Sequence, residues 1–419
     1  MAGKLAGHPR SPAIAASSFI ALRHRNFRLL WLGQLVSIAG SQMQTAAILW
    51  HVSLLVPPER RGLALGLVGL VRVTPIVLFS LLSGVVADAG NRRKLMLGTQ
   101  SGMALVAAAL ALLTARGLAV VWPIYGLAAL GAAVGAFDGP ARQALFPSLV
   151  PREHLPNAIG LNTIMTQTAA VVGPSIGGVV IAELGLGWAY GLNALSFLGV
   201  IASLVLMRDV PDRPAGGEVS LRALGEGLRF VFASPLIRST MLLDAFATFF
   251  SSATALLPIF AQDVLRVGAR GYGWLYAAPA LGAVLTSALM VRLVDRIERR
   301  GRVLLVAVAT YALATVVFGL SRHFWLTFAC LAATGAGDTI SMVFRNVIRQ
   351  LETPDHLRGR MVGVNMLFFM GGPQLGELEA GLVASVFGPA ASVVSGGLGA
   401  LVATGWIAWR TPALRAYRR

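Results

Sequence analysis

Four ionisable side chains, Arg72, Asp244, Glu377 and Glu379, stand inside long apolar runs of this 419-residue chain. A charge at the centre of a bilayer costs several kcal/mol unless it meets water or a partner of opposite sign. Side chains so placed pair with one another, carry a proton, or bind an ionic ligand. Arg72 is about 15 Å along a helix from the start of its run, and Glu377 about 10 Å from the end of its own, at 1.5 Å per residue. Glu377 and Glu379 are about 200° apart on a regular helix, so both cannot face one cavity unless Gly371, Gly372 and Pro373 break it. Asp244 is about 9 Å from the end of its run, which leaves open both a cavity role and snorkelling to the interface. Other chemistry has little to stand on. The six His are scattered without ligand spacing, Cys330 is alone, and no nucleophile motif or phosphate loop is visible. No enzyme activity, cofactor, metal site or disulfide is expected.

Charges also mark two turns. Asp88, Ala89, Gly90, Asn91, Arg92, Arg93 and Asp295, Arg296, Ile297, Glu298, Arg299, Arg300 lie 207 positions apart, each between apolar runs. Two further pairs repeat: Gly173, Pro174 and Gly177 against Gly372, Pro373 and Gly376, and Pro151 to Leu155 against Pro354 to Leu357. A duplicated, parallel arrangement of membrane helices explains all three, and it is an architecture of transporters.

The elements that hold these residues follow from composition. With 56% apolar and 13% charged residues, the chain cannot form a water-soluble globule of this length. Spanning helices need about 20 apolar residues. Twelve are predicted, near 26–49, 62–87, 95–115, 119–138, 157–182, 187–207, 238–260, 272–294, 302–320, 324–344, 361–384 and 389–409. The fold class is therefore all-α, two bundles of six at 26–207 and 238–410. A terminal segment spans 1–25, read as an interfacial helix or disordered lead-in and not a cleaved signal. A Pro- and Gly-rich linker spans 208–237, and a tail spans 411–419. Asp138 and Arg142, with Asp338 and Arg345, are expected to end the fourth and tenth spans and bridge loops.

Net charge of +17 does not point to nucleic acid, because it alternates by loop. The tails and even-numbered loops hold 28 of the 35 basic residues, while Arg60, Arg61, Arg116, Arg266, Arg270 and Arg322 fall on the other side. The positive-inside rule then puts both termini in the cytoplasm of a bacterial inner-membrane protein.

At several places the residues resemble the major facilitator superfamily, most closely its efflux branch of enterobactin and macrolide exporters. Gly84, Asp88, Arg92 and Arg93 are similar to the signature loop after the second helix, although Ala89 and Asn91 depart from it; the second copy has Val291 for the leading Gly. The entry Asn26 to Trp31 and the stretch Leu256 to Ala261 are similar to the same branch. Gly173, Pro174, Gly177 and Gly178 resemble the antiporter motif, with Ala169 in place of its leading Gly. The resemblance implies that Gly84, Asp88, Arg92 and Arg93, with Asp295, Arg296, Arg299 and Arg300, form a conformational latch. It also implies that the fifth helix lies at the bundle interface and that the protein exports. It sets the second and eleventh helices side by side, so that an Arg72 to Glu377 pair is expected. The fourth span lacks the buried Arg common in proton-coupled members.

The resulting expectation is a secondary exporter of small amphipathic molecules, coupled to proton entry through Asp244, Glu377 or Glu379, or to another ion. A monomer in the lipid bilayer is expected. Cavity candidates are Gln42, Gln44, Trp50, Gln167, Asn193 and Phe249, beside the four intramembrane charges. A lipid translocator, or a non-transporting regulator on the same scaffold, remains an alternative.

Overall fold

The protein is described here as a computed structural model covering residues 19–89, 91–117, 120–208, 221–251, 253–354 and 357–418. The side chains of Gly84, Asp88 and Asp295 lie outside the described residues. Six long helices form the first bundle: α1 (Arg25–Leu55), α2 (Arg61–Ala89), α3 (Arg92–Ala115), α4 (Trp122–Leu145), α5 (Leu155–Glu183) and α6 (Leu186–Leu206). A short amphipathic helix, α7 (Leu221–Ala233), precedes the second bundle. That bundle opens with α8 (Pro235–Phe250), which breaks and resumes as a turn, α9 (Leu257–Ile259) and a π-turn Phe260–Val264. It continues with α10 (Gly268–Leu293), α11 (Arg300–Leu320), α12 (Phe324–Glu352), α13 (Arg358–Phe387) and α14 (Pro389–Arg410), and ends in α15 (Pro412–Ala416).

Among the described residues, ten of these segments are long and apolar enough to cross a membrane on their own. The other two spanning helices, α1 and α13, are as long and carry more polar side chains: Gln34, Gln42, Gln44 and His51 on one, Gln374, Glu377 and Glu379 on the other. The chain is thus an all-α membrane protein of two six-helix bundles, and both ends lie on one face, called here the terminal face.

Local chemistry sets the helix ends. Asn91 caps α3 by accepting from the Lys94 amide at 3.0 Å, and Ser234 caps α8 ahead of Pro235. The α5–α6 and α13–α14 connections both turn on a glycine at positive φ, Gly185 at 90° and Gly388 at 88°. That conformation is disfavoured for any residue with a Cβ, and the two sites are equivalent in the repeat. Prolines also recur: Pro75 in α2 with Pro279 in α10, and Pro174 in α5 with Pro373 in α13.

Two expectations are corrected. The seventh span is not one helix: α8 ends at Phe250 and the chain resumes through short turns, with Pro258 in the first turn of α9 where its missing amide is tolerated. The fourth and tenth spans do not end at Asp138 and Asp338. Helix α4 runs on to Leu145 and α12 to Glu352, so both acids sit within helices: Asp138 bonds to α3 and Asp338 to Arg345 of its own helix, neither to a loop.

Candidate functional site: the bundle interface and its buried charges

The two bundles meet along α2 with α13 and α5 with α10, and glycine makes the approach possible. A Cβ on Gly178 would lie 2.7 Å from the Ala269 carbonyl oxygen, and one on Gly381 would lie 2.5 Å from that of Gly62. No side chain fits there, so backbone rests on backbone. These contacts fall in the half of the molecule away from the terminal face. So do the polar contacts between bundles that follow. Arg61 at the start of α2 holds both carboxylate oxygens of Asp263, at 3.0 and 2.9 Å, and Arg270 pairs with Glu183. Gln262 donates to Ser53 at 2.7 Å, and Tyr272 donates to the Ala46 carbonyl at 2.9 Å while stacking on Trp50. Asp263, Glu183 and Gln262 escaped sequence reasoning; an acid facing the few basic residues of that side was the available signal.

Deeper in, Arg72 on α2 and Glu377 on α13 interact electrostatically across the interface, with Tyr276 of α10 beside both. No ion pair between the two is among the described contacts. Glu377 packs against Gly69, and the neighbouring Gln374 leaves its side-chain oxygen buried without a partner. Glu379, half-buried, is not in that group.

Asp244 proves to be fully enclosed. Arg345 of α12 reaches it at 2.8 Å and Arg349 at 3.6 Å, while Arg345 also touches Asp338 at 3.4 Å. Arg349 is further fixed by Thr240 and by Asn365 of α13. The first bundle holds a less charged counterpart: Asp138 of α4 accepts from Thr99 at 3.0 Å and Gln100 at 2.9 Å on α3, and Arg142 reaches Gln34 of α1 at 3.5 Å.

The remaining candidates are dispersed. Gly173 and Gly177 press α5 onto α1 at Gln42 and Met43, whereas Pro174 and Gly178 face Gly273 of the other bundle. Asn193 donates to Gln44 inside the first bundle, Phe249 packs on Phe250, and Gln167 is half-buried. In the turn after α2, Arg92 donates to the Ala144 carbonyl ending α4 and Arg93 to the Val205 carbonyl ending α6, both at 3.1 Å. These are favourable sites for cations. Arg296 and Arg299 are exposed, and Arg300 begins α11.

Residues 16–417 match the family model described as transmembrane secretion effector. The chain belongs to that family of the major facilitator superfamily. It is 28% identical, over 90% of both chains, to the enterobactin exporter EntS of Escherichia coli O1:K1 / APEC. Solved structures share the fold: a bacterial homologue of the iron transporter ferroportin in an inward-facing state (TM-score 0.70, 18% identity, covering 94% of this chain and 99% of that one). So does a bacterial homologue of the human lysosomal transporter Spinster, inward-facing and unoccupied (0.69, 17%, 94% and 96%).

For a transporter, the energetics of these contacts matter more than their number. Exposed ion pairs such as Arg270 with Glu183 contribute about 0–1 kcal/mol each. The closure away from the terminal face is therefore held mainly by close packing, which can separate without breaking a strong bond. Removing one partner of a buried charge network costs about 3–5 kcal/mol, so the Asp244 cluster stays assembled or rearranges as a unit.

Proposed function

We propose that this transporter exports small amphipathic molecules of the siderophore or drug class across the bacterial inner membrane in exchange for protons, by rocking its two bundles. The observation that carries this reading is the closure of the half away from the termini. The bundles touch through glycines and weak polar contacts on the face away from the termini. With the termini in the cytoplasm, as the 28 to 6 division of basic residues supports, the structure is closed outward. The export direction and substrate class draw on likeness to the enterobactin exporter. The chain acts as a carrier and not an enzyme, and as a monomer.

In this reading Asp88, Gly84, Arg92 and Arg93 form the latch that closes the cytoplasmic side in the alternate state, with the turn at Asp295, Arg296, Arg299 and Arg300 as its counterpart. Arg72 and Glu377 line the path at the interface. Inverted membrane vesicles acidified inside test the proposal directly. Vesicles carrying the protein should accumulate enterobactin or a cationic dye faster than empty ones, and a protonophore should abolish the difference. Equal uptake with and without the protein across both substrate types would contradict it.

A further inference from the structure

Inside the second bundle, a cavity of about 240 Å³ lies between α8, α10, α11, α12 and α13. Hydroxyls dominate its polar wall: Thr248, Ser251, Tyr311, Thr315 and Thr334, with Asp338 as its carboxylate. Thr248, Thr315 and Thr334 each donate to a carbonyl of their own helix, so they turn oxygen lone pairs toward the cavity. A space of this size with several hydroxyls and a carboxylate on its wall has room for water.

The two aspartates that share Arg345 are held unequally. Asp244 has 7% of its side chain exposed and is gripped by two arginines; Asp338 is 48% exposed and has one contact, at 3.4 Å. Asp338 is also 14 residues from each end of α12, about 21 Å along the helix either way. Asp338, Arg345 and Arg349 lie on one stripe of α12, seven and eleven positions apart, so a change at the first is felt by the others.

We propose that Asp338 is the proton-binding group of this transporter and that Arg345 relays its charge to Asp244. One proton passes from a hydronium ion in the cavity to an Asp338 carboxylate oxygen; the hydronium O–H bond breaks to leave water, an Asp338 O–H bond forms, and one negative charge is removed. Arg345, no longer shared, is then drawn wholly to Asp244, which changes how α12 sits on α8. Among the described residues, the charged or titratable groups facing Asp338 are Arg345 on its own helix, Asp244 on α8 and Tyr311 on α11; α10 and α13 present Pro279 and Pro373. A proton neutralises Asp338 without adding bulk beside Arg345 and Arg349.

This inference rests on the proton-exchange reading, and the test needs no substrate. Full-length protein in nanodiscs, in a Cys330→Ser background, carries spin labels at Glu59→Cys and Arg322→Cys, exposed sites on either bundle at the outer face. The distance between labels should shift between mildly acidic and mildly alkaline pH in potassium buffer. Asp338→Asn should abolish the shift and hold the acidic-side distribution at every pH; Asp338→Glu should restore it. Should Asp338→Asn fail to elute as a single species, Asp338→Ser, which also removes the carboxylate and keeps Arg345, carries the same comparison. A full pH shift in the Asn variant would overturn the assignment, as would a shift that follows sodium instead of pH. A native protein whose labels ignore pH yet which still accumulates substrate in vesicles would remove both Asp338 and proton coupling while leaving export intact.

Discussion

Arg72 and Asp244, both charges within apolar runs, meet opposite solutions. Asp244 is saturated by Arg345 and Arg349, while Arg72 and Glu377 interact across the bundle interface without an ion pair among the described contacts. Asp244→Ala should therefore lower stability by about 3–5 kcal/mol, since Arg349 loses its carboxylate and Arg345 keeps only Asp338, and Arg349→Met in the same chain should recover part of it. Thermal unfolding in detergent checks this; equal stability of Asp244→Ala and parent would show that the cluster is not structural. For Arg72→Ala and Glu377→Gln, longer-range attraction predicts a small coupling, about 1 kcal/mol or less, and transport lost more than folding. A coupling of several kcal/mol would mean that the pair closes directly. At the proposed latch, Asp88→Asn should reduce transport while expression holds, read by vesicle uptake against protein level; unchanged uptake would leave Asp88 a marker of the membrane boundary.

Among the helices, the apolar runs were legible as spans because twenty apolar residues have few other homes. Hydropathy failed where a charge sits inside a helix. Asp138 and Asp338 look like ends to such a reading, yet Thr99, Gln100 and Arg345 satisfy them and the helices continue. The stripe Asp338, Arg345, Arg349 was present at helical spacing but gave no hint that Asp244, a hundred positions away, would complete it. Likewise Gly178 and Gly381 were visible as small residues, whereas their partners across the interface depend on how the bundles assemble. Gly178→Val should wedge α5 from α10 and hold the outer side apart. A membrane-impermeant thiol reagent should then label Ser53→Cys, buried in the parent, faster in the Cys330→Ser background. Labelling no faster than the parent would mean that this glycine contact does not hold the closure.

The two bundles repeat each other in helix order, prolines and turning glycines, but not in charge. The first pairs Asp138 and Arg142 with the neutral Gln34, while the second adds Asp244 and Arg349. Such asymmetry on a symmetric frame fits a division in which one half carries the proton site. A reporter fused after Arg419 should be active only in the cytoplasm, as the basic residues require; periplasmic activity would invert every assignment of faces made here. Alternating closure itself is tested most directly where Gln262 meets Ser53 at 2.7 Å. With Ser53→Cys and Gln262→Cys in the Cys330→Ser background, an oxidant should join the bundles on the outer side. Vesicle uptake should stop on cross-linking and return with reductant, and transport that continues through the cross-linked protein would contradict it.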